Sequence, residues 1–92
     1  MITLQSVITR NNDGFLTSEL GDEMVVMNLS TGDYLGLNEV SSQIWKLLEQ
    51  PSATEEIINR LLAVYNVSRQ DCELQTLDFL NKMKEQGAIS VS

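Results

Sequence analysis

A chain of 92 residues with 42% hydrophobic side chains can enclose one modest core; it is too apolar to be disordered and too short for two domains. Thirteen acidic residues against six basic ones give a formal charge of −7, and Arg10, Lys46, Arg60, Arg69, Lys82 and Lys84 are scattered, so the summed field repels nucleic acid and anionic membrane. The absence of histidine removes the commonest general base and metal ligand, and with them Ser-His-Asp, Cys-His and two-His metal arrangements.

The start, "MITLQSVITRNN", lacks the basic and apolar regions of a secretory signal. Residues 1–13 are expected to be flexible or to add one short strand at "SVIT", around Val7 and Ile8. "GFLTSEL" (Gly14 to Leu20) and "EMVVMNL" (Glu23 to Leu29) flank Gly21 and Asp22, a short hairpin signal. "STGD" (Ser30 to Asp33) is a second turn, and "YLGL" (Tyr34 to Leu37) a third strand. Together they predict an antiparallel meander with one face on the core.

Three helices follow. Asn38 can cap the first, Val40, Ile44, Trp45, Leu47 and Leu48 form its apolar stripe, and Pro51 ends it. For the second, Ser52 with Glu55 makes a capping-box pattern, with Thr54 as the alternative cap, and Ile57, Ile58, Leu61, Leu62 and Tyr65 form its buried side. Ser68 with Asp71 opens the third, which runs to about Gln86 and stops at Gly87. Ala88, Ile89 and Val91 trail off as an extended tail. The order β-β-β-α-α-α predicts a single α+β domain, a three-stranded antiparallel sheet followed by three helices, arranged like a winged helix-turn-helix.

Chemistry is sparse. Cys72 is the only cysteine, so there is no internal disulfide or thiolate cluster, and it reads as a buried structural thiol suited to a reducing compartment. No apolar run approaches the roughly 20 residues that span a bilayer, and a cytoplasmic protein is expected. Glu55 and Glu56 complement a helix N-terminus. "NNDG" at Asn11 to Gly14 resembles part of a calcium loop but lacks the remaining ligands, so a turn is the better reading. The expectation is no catalytic residue, no cofactor and no metal site, hence no enzyme.

The third strand is an edge by sequence order, and "YLGL" carries none of the Lys, Pro or bulge protections that edges usually have. Gly36 inside it would permit close approach of another backbone; alternatively it relieves crowding before the helix, or the helix covers the edge. On the third helix, Cys72, Thr76, Phe79, Leu80 and Met83 fall within an arc of roughly 100° and form a core stripe. Leu74 and Leu77 lie beyond it, as a groove wall or as a wider buried face, with Asp78 and Asn81 bordering the same side. An open edge beside an apolar helix is what strand addition requires. Such an edge can also pair with its own copy, so a monomer or an edge-strand dimer is expected.

"VVMNLSTGDYLGLNEVSSQIWKLLEQPSATEEIINRLLAVYNV" followed by "DFLNKMKEQGAI" resembles the PqqD-like family over about Phe15 to Ile89. Length and an early Cys in the third helix are most similar to the stand-alone members of lasso-peptide clusters. The resemblance implies a RiPP precursor peptide recognition element, in which a leader peptide joins the sheet between the third strand and third helix. It implies that Tyr34, Leu35, Gly36 and Leu37 offer backbone and that Leu74, Leu77 and Asp78 line the cleft; with Asn81, which borders the same side of the helix, they make the expected leader-binding set. Leu74 and Thr76 stand where relatives often have a small residue and an aliphatic one, which would displace the groove by a position or two. The implied partners are the precursor leader, a transglutaminase-like leader peptidase and a lasso cyclase acting afterwards. A peptide chaperone in PQQ or other RiPP maturation, serving a radical enzyme, is the alternative. A DNA-binding winged helix is the remote one, opposed by the charge.

Overall fold

The structure, a computed structural model, describes residues 2–21 and 23–92. The chain order is β1 (Val7–Arg10), β2 (Phe15–Leu20), β3 (Glu23–Asn28), β4 (Tyr34–Leu37), α1 (Glu39–Leu47), β5 (Ser52–Ala53), α2 (Thr54–Val64), α3 (Arg69–Glu85) and β6 (Ile89–Val91). The expected meander is present: β2, β3 and β4 form one antiparallel sheet in that order. Gly21 takes a left-handed φ of 68° at the first hairpin. Asp22, the other half of that expected turn, lies outside the described residues.

A second sheet was not foreseen. β1 is its centre, pairing with β5 through Val7–Ala53 and Ile8–Ser52 and with β6 through Ile8–Val91, Thr9–Ser90 and Arg10–Ile89. The tail is therefore a strand, and Ile8 is wholly buried. This sheet corrects the expected start of α2. Ser52 is extended in β5 and its hydroxyl donates to the carbonyls of Leu47 and Gln50; Thr54 donates to Ser6 O at 3.2 Å. Ala53 occupies the cap position with no side-chain bond. Pairing with β1 takes Ser52, and the bond to Ser6 takes Thr54, the two residues that sequence alone would assign as caps.

The other helix ends behave locally. Asn38 accepts from Ser41 N at 2.9 Å and Ser68 from Asp71 N at 3.2 Å, each satisfying an orphan amide. Gly87 has φ 76°, and Ala88 N donates to Met83 O, the six-to-one bond that closes a helix on a left-handed residue. The core lies between the helices and the inner faces of both sheets. Ile44, Trp45, Leu48, Ile57, Ile58 and Leu80 are buried within it, each contributing about 1.5–3 kcal/mol by leaving water.

Trp45 ties the layers together. Its Nε1 donates to Thr17 Oγ1 on β2 at 3.0 Å, while Arg10 of β1 stacks 4.5 Å from its ring centroid and donates to its carbonyl. Both sheets are thus pinned to α1. No helix among the described residues is long and apolar enough to cross a membrane.

Candidate functional site

The meander has two edges, β2 and β4, and its hydrogen-bond alternation fixes which backbone groups each leaves free. Asn28 N donates to Asp33 O at 2.7 Å, directly opposite it in the β3–β4 register, so Asn28 and Asp33 are a hydrogen-bonded pair. Such pairs alternate along an antiparallel ladder. Leu35 and Leu37 therefore also turn their backbone groups toward β3, while Tyr34 and Gly36 direct theirs away from it. The β2–β3 side agrees: Leu29 N donates to Gly14 O, so β3 uses its odd-numbered residues for β2 and its even-numbered ones for β4. Among the described residues no strand pairs with the far side of β4.

The two edges are not equivalent. Glu19 stands directly opposite Met24, which is buried, so its carboxylate is on the core-facing side of β2. An inward-pointing charge is a known device against edge pairing. Within β4 itself there is no charge: its inner face is Leu35 and Leu37 and its outer face Tyr34 and Gly36, and the inward carboxylate at this edge, Asp33, stands just before the strand. Tyr34 is 72% exposed. A Cβ placed on Gly36 would meet nothing within 4 Å, and its φ is not left-handed, so crowding by the chain does not explain this glycine.

Nor does α3 cover the edge. A hollow of about 230 Å³ separates it from β4, floored by Phe15, Val26, Leu35, Met83 and Ala88. Asn28, Asp33 and Gln86 form its polar rim. One turn earlier on α3 a second hollow, of about 310 Å³, lies against the start of α1. Val40, Ile44 and Phe79 give it an apolar base, and Gln75, Asp78 and Lys82 border it. Because Phe79 and Met83 are one turn apart, as are Lys82 and Gln86, the two hollows run end to end along one flank of the helix.

Of the expected set, Tyr34 and Leu35 line the first hollow and Asp78 the second, while Gly36 lines neither and contributes free backbone groups of the edge. Leu37 is 2% exposed and its carbonyl accepts from Ser42 Oγ at 3.2 Å, so it anchors the strand from the core and offers no free edge group. Leu74, at 62% exposure, Leu77, half-buried against the core, and Asn81, exposed, line neither hollow. With Cys72 at zero, they sit at about 140–200° on the helical wheel, whereas Gln75, Asp78, Lys82 and Gln86 sit at about 240–320°. The two leucines and Asn81 therefore lie on a different flank of α3 from the residues that border the hollows. The cleft wall instead joins polar residues at the rim to core residues at the floor.

Asp78 and Lys82 pair at 3.2 Å, but both are mostly exposed, and such pairs contribute about 0–1 kcal/mol. Among the described residues no group of three or more His, Cys, Asp or Glu is placed to hold a metal. The arrangement presents free backbone donors and acceptors beside a hollow with an apolar floor, the geometry that strand addition requires.

Residues 23–89 match the family described as coenzyme PQQ synthesis protein D (PqqD). Among solved structures the chain is similar to TbiB1, determined in complex with the TbiA(beta) leader peptide. The two are 34% identical over 89% of this chain and 94% of that one, with a TM-score of 0.80. A lasso peptide synthetase B1 complexed with its leader peptide shares the fold at 21% identity, over 90% of this chain and 96% of that one, with a TM-score of 0.76. No curated protein sequence matches the chain.

Proposed function

The chain belongs to the PqqD family, and from that premise we infer that it is a non-catalytic adaptor for the leader region of a ribosomally synthesised precursor, of the lasso-peptide kind. The leader adds as a strand to β4 and places alternate side chains in the trough against α3. One observation carries this reading: Tyr34 and Gly36 direct their amides and carbonyls away from β3, and Tyr34 and Leu35 border an apolar-floored hollow between the strand and α3. TbiB1, a relative of near-equal length, is known with a leader peptide bound, which supports the same use here.

The site suits a short segment. Four strand residues extend about 14 Å at 3.4 Å each, and the α3 wall from Gln75 to Gln86 extends about 16 Å at 1.5 Å per residue. Backbone bonds supply general affinity and the hollows supply selection. The bound leader is then handed, in the cytoplasm, to a separate transglutaminase-like leader peptidase, with a cyclase following.

The test is a titration of the labelled protein with synthetic leaders, that of the cognate precursor and the TbiA(beta) leader. Saturable binding at micromolar affinity or better is expected, with the largest amide shifts at Tyr34 and Gly36. Saturation without movement of those amides, or no saturation by any cognate leader, rejects the reading. The family's description names PQQ synthesis, and the second assignment is a peptide chaperone to a radical enzyme in maturation of that kind. It uses the same edge, and it is the right one if the leader complex is retained by a radical enzyme and not by a leader peptidase.

A further inference from the structure

The inner face of the open edge is graded along its length. Asp33, Leu35 and Leu37 share one side of the strand, opposite Asn28, Val26 and Met24 of β3 in turn. Leu35 borders the apolar part of the first hollow, and Asp33 forms its rim with Asn28 and Gln86, two neutral amides. Among the described residues Asp33 has no ion-pair partner. The cation that shares this flank of α3, Lys82, is bound to Asp78 at 3.2 Å.

We propose that Asp33 is a specificity-determining residue of this cleft, selecting a guest strand with lysine or arginine two residues from its apolar anchor. The proposal rests on the strand-addition reading above. A strand docked on β4 alternates its side chains, so the residue beside Leu35 and the residue beside Asp33 are two apart on the trough face, whichever way the guest runs. The first drops an apolar side chain onto Leu35, Val26 and Met83. The second places its terminal group at the Asp33 carboxylate. Neutral Asn28 and Gln86 leave that carboxylate the only formal charge on this rim, and the net charge of −7 raises the local concentration of cationic peptides at every ionic strength short of full screening.

The probe is a displayed library of random 12-residue peptides selected against the whole protein and against Asp33→Asn and Asp33→Lys. Library peptides that bind wild type should be enriched for Lys or Arg two residues from an apolar position. The preference should vanish with Asn and turn to Asp or Glu with Lys. Resynthesised as single peptides, a Lys-to-Glu exchange at that position should weaken wild-type binding about five- to tenfold, as expected for reversing one cross-strand pair. The same exchange should strengthen binding to Asp33→Lys, and both effects should shrink in 0.5 M salt. Enrichment of peptides that shift the Tyr34 and Gly36 amides but show no charge preference, or one unaltered by Asp33→Lys, overturns the role of Asp33 and leaves strand addition standing. Enriched peptides that leave those amides unmoved, or no enrichment at all, overturn strand addition and the inference with it.

Discussion

Replacing Gly36 by proline separates binding from folding. The Gly36 amide faces away from β3, so β3–β4 pairing does not use it, and proline is tolerated on edge strands whose N–H faces outward. The added Cβ meets nothing within 4 Å, and Leu35, the preceding residue, is already extended as proline demands. Proline also restricts the unfolded chain, a gain of about 0.4–1 kcal/mol that offsets its fit to the strand. Stability should therefore change by less than about 1 kcal/mol, which moves the melting temperature of a domain this size by no more than about 4–8 °C.

Binding should change far more. One backbone hydrogen bond of about 0.5–1.5 kcal/mol is lost, and the guest carbonyl that accepted it is left facing a proline ring, an unsatisfied group costing a further 1–3 kcal/mol. A loss of about 2–3 kcal/mol weakens a leader peptide about 30- to 150-fold. Gly36→Ala is the matched control: it keeps the amide, points its methyl into open space and should bind within about twofold of wild type. Calorimetry with a leader peptide and thermal melts of the three proteins decide the matter. Wild-type affinity in the proline variant, or an unfolded proline variant beside a folded alanine one, refutes the assignment of free amides.

Three further outcomes follow from side-chain placement. Leu74→Asp should leave melting and leader affinity unchanged, because Leu74 is mostly in solvent, whereas Leu77→Asp should cost about 1–3 kcal/mol of stability because Leu77 packs on the core; a binding defect with Leu74→Asp would mean that α3 presents a different flank. Thr76 is fully buried and its hydroxyl has no partner among the described residues, so Thr76→Val should raise the urea midpoint by the equivalent of about 1 kcal/mol, and a lower midpoint would show that the hydroxyl is satisfied. Burial, and then the Glu39 carboxylate, raises the Tyr65 phenol above its ordinary value. The folded state then holds this proton more tightly than the unfolded chain, so the contribution is full below about pH 10 and is lost as pH rises through the folded value. Chemical denaturation at pH 8 and 11 should show a shallower alkaline loss in Tyr65→Phe, and equal losses would refute the effect.

The elements that could be read in the sequence are those whose cause is local. Asn38, Ser68 and Gly87 signal helix ends through bonds within a few residues, and the stripe from Cys72 to Met83 follows from helical period alone. What could not be read is non-local. β5 has two residues and β6 three, too few for any period, and both exist because Ile8 brings Ser52 and Val91 to its two sides. The same contact took Ser52 from capping into the sheet, while Ser6, just before β1, accepts from the Thr54 hydroxyl. For the cleft, Tyr34 and Gly36 were accessible as members of an unprotected edge, but Gln75, Lys82 and Gln86 carry no signal of their own. They border the trough because of how α3 lies over β4, and a helical wheel holds no information about where a helix lies.

Leu37 shows why edge and core cannot be varied independently. In a strand the side-chain face and the hydrogen-bonding side both alternate with period two, so one register sets both. Leu37 is buried opposite Met24, and its carbonyl is held by Ser42. With that end fixed, the inner face falls to Leu35 and Asp33, and the free backbone groups fall to Tyr34 and Gly36. A slip of one residue would turn Leu35 and Leu37 to solvent and put Tyr34 and Gly36 in their place, losing about 1.5–3 kcal/mol for the fully buried Leu37 alone. The packing of one core leucine thus determines which amides stand open to a guest.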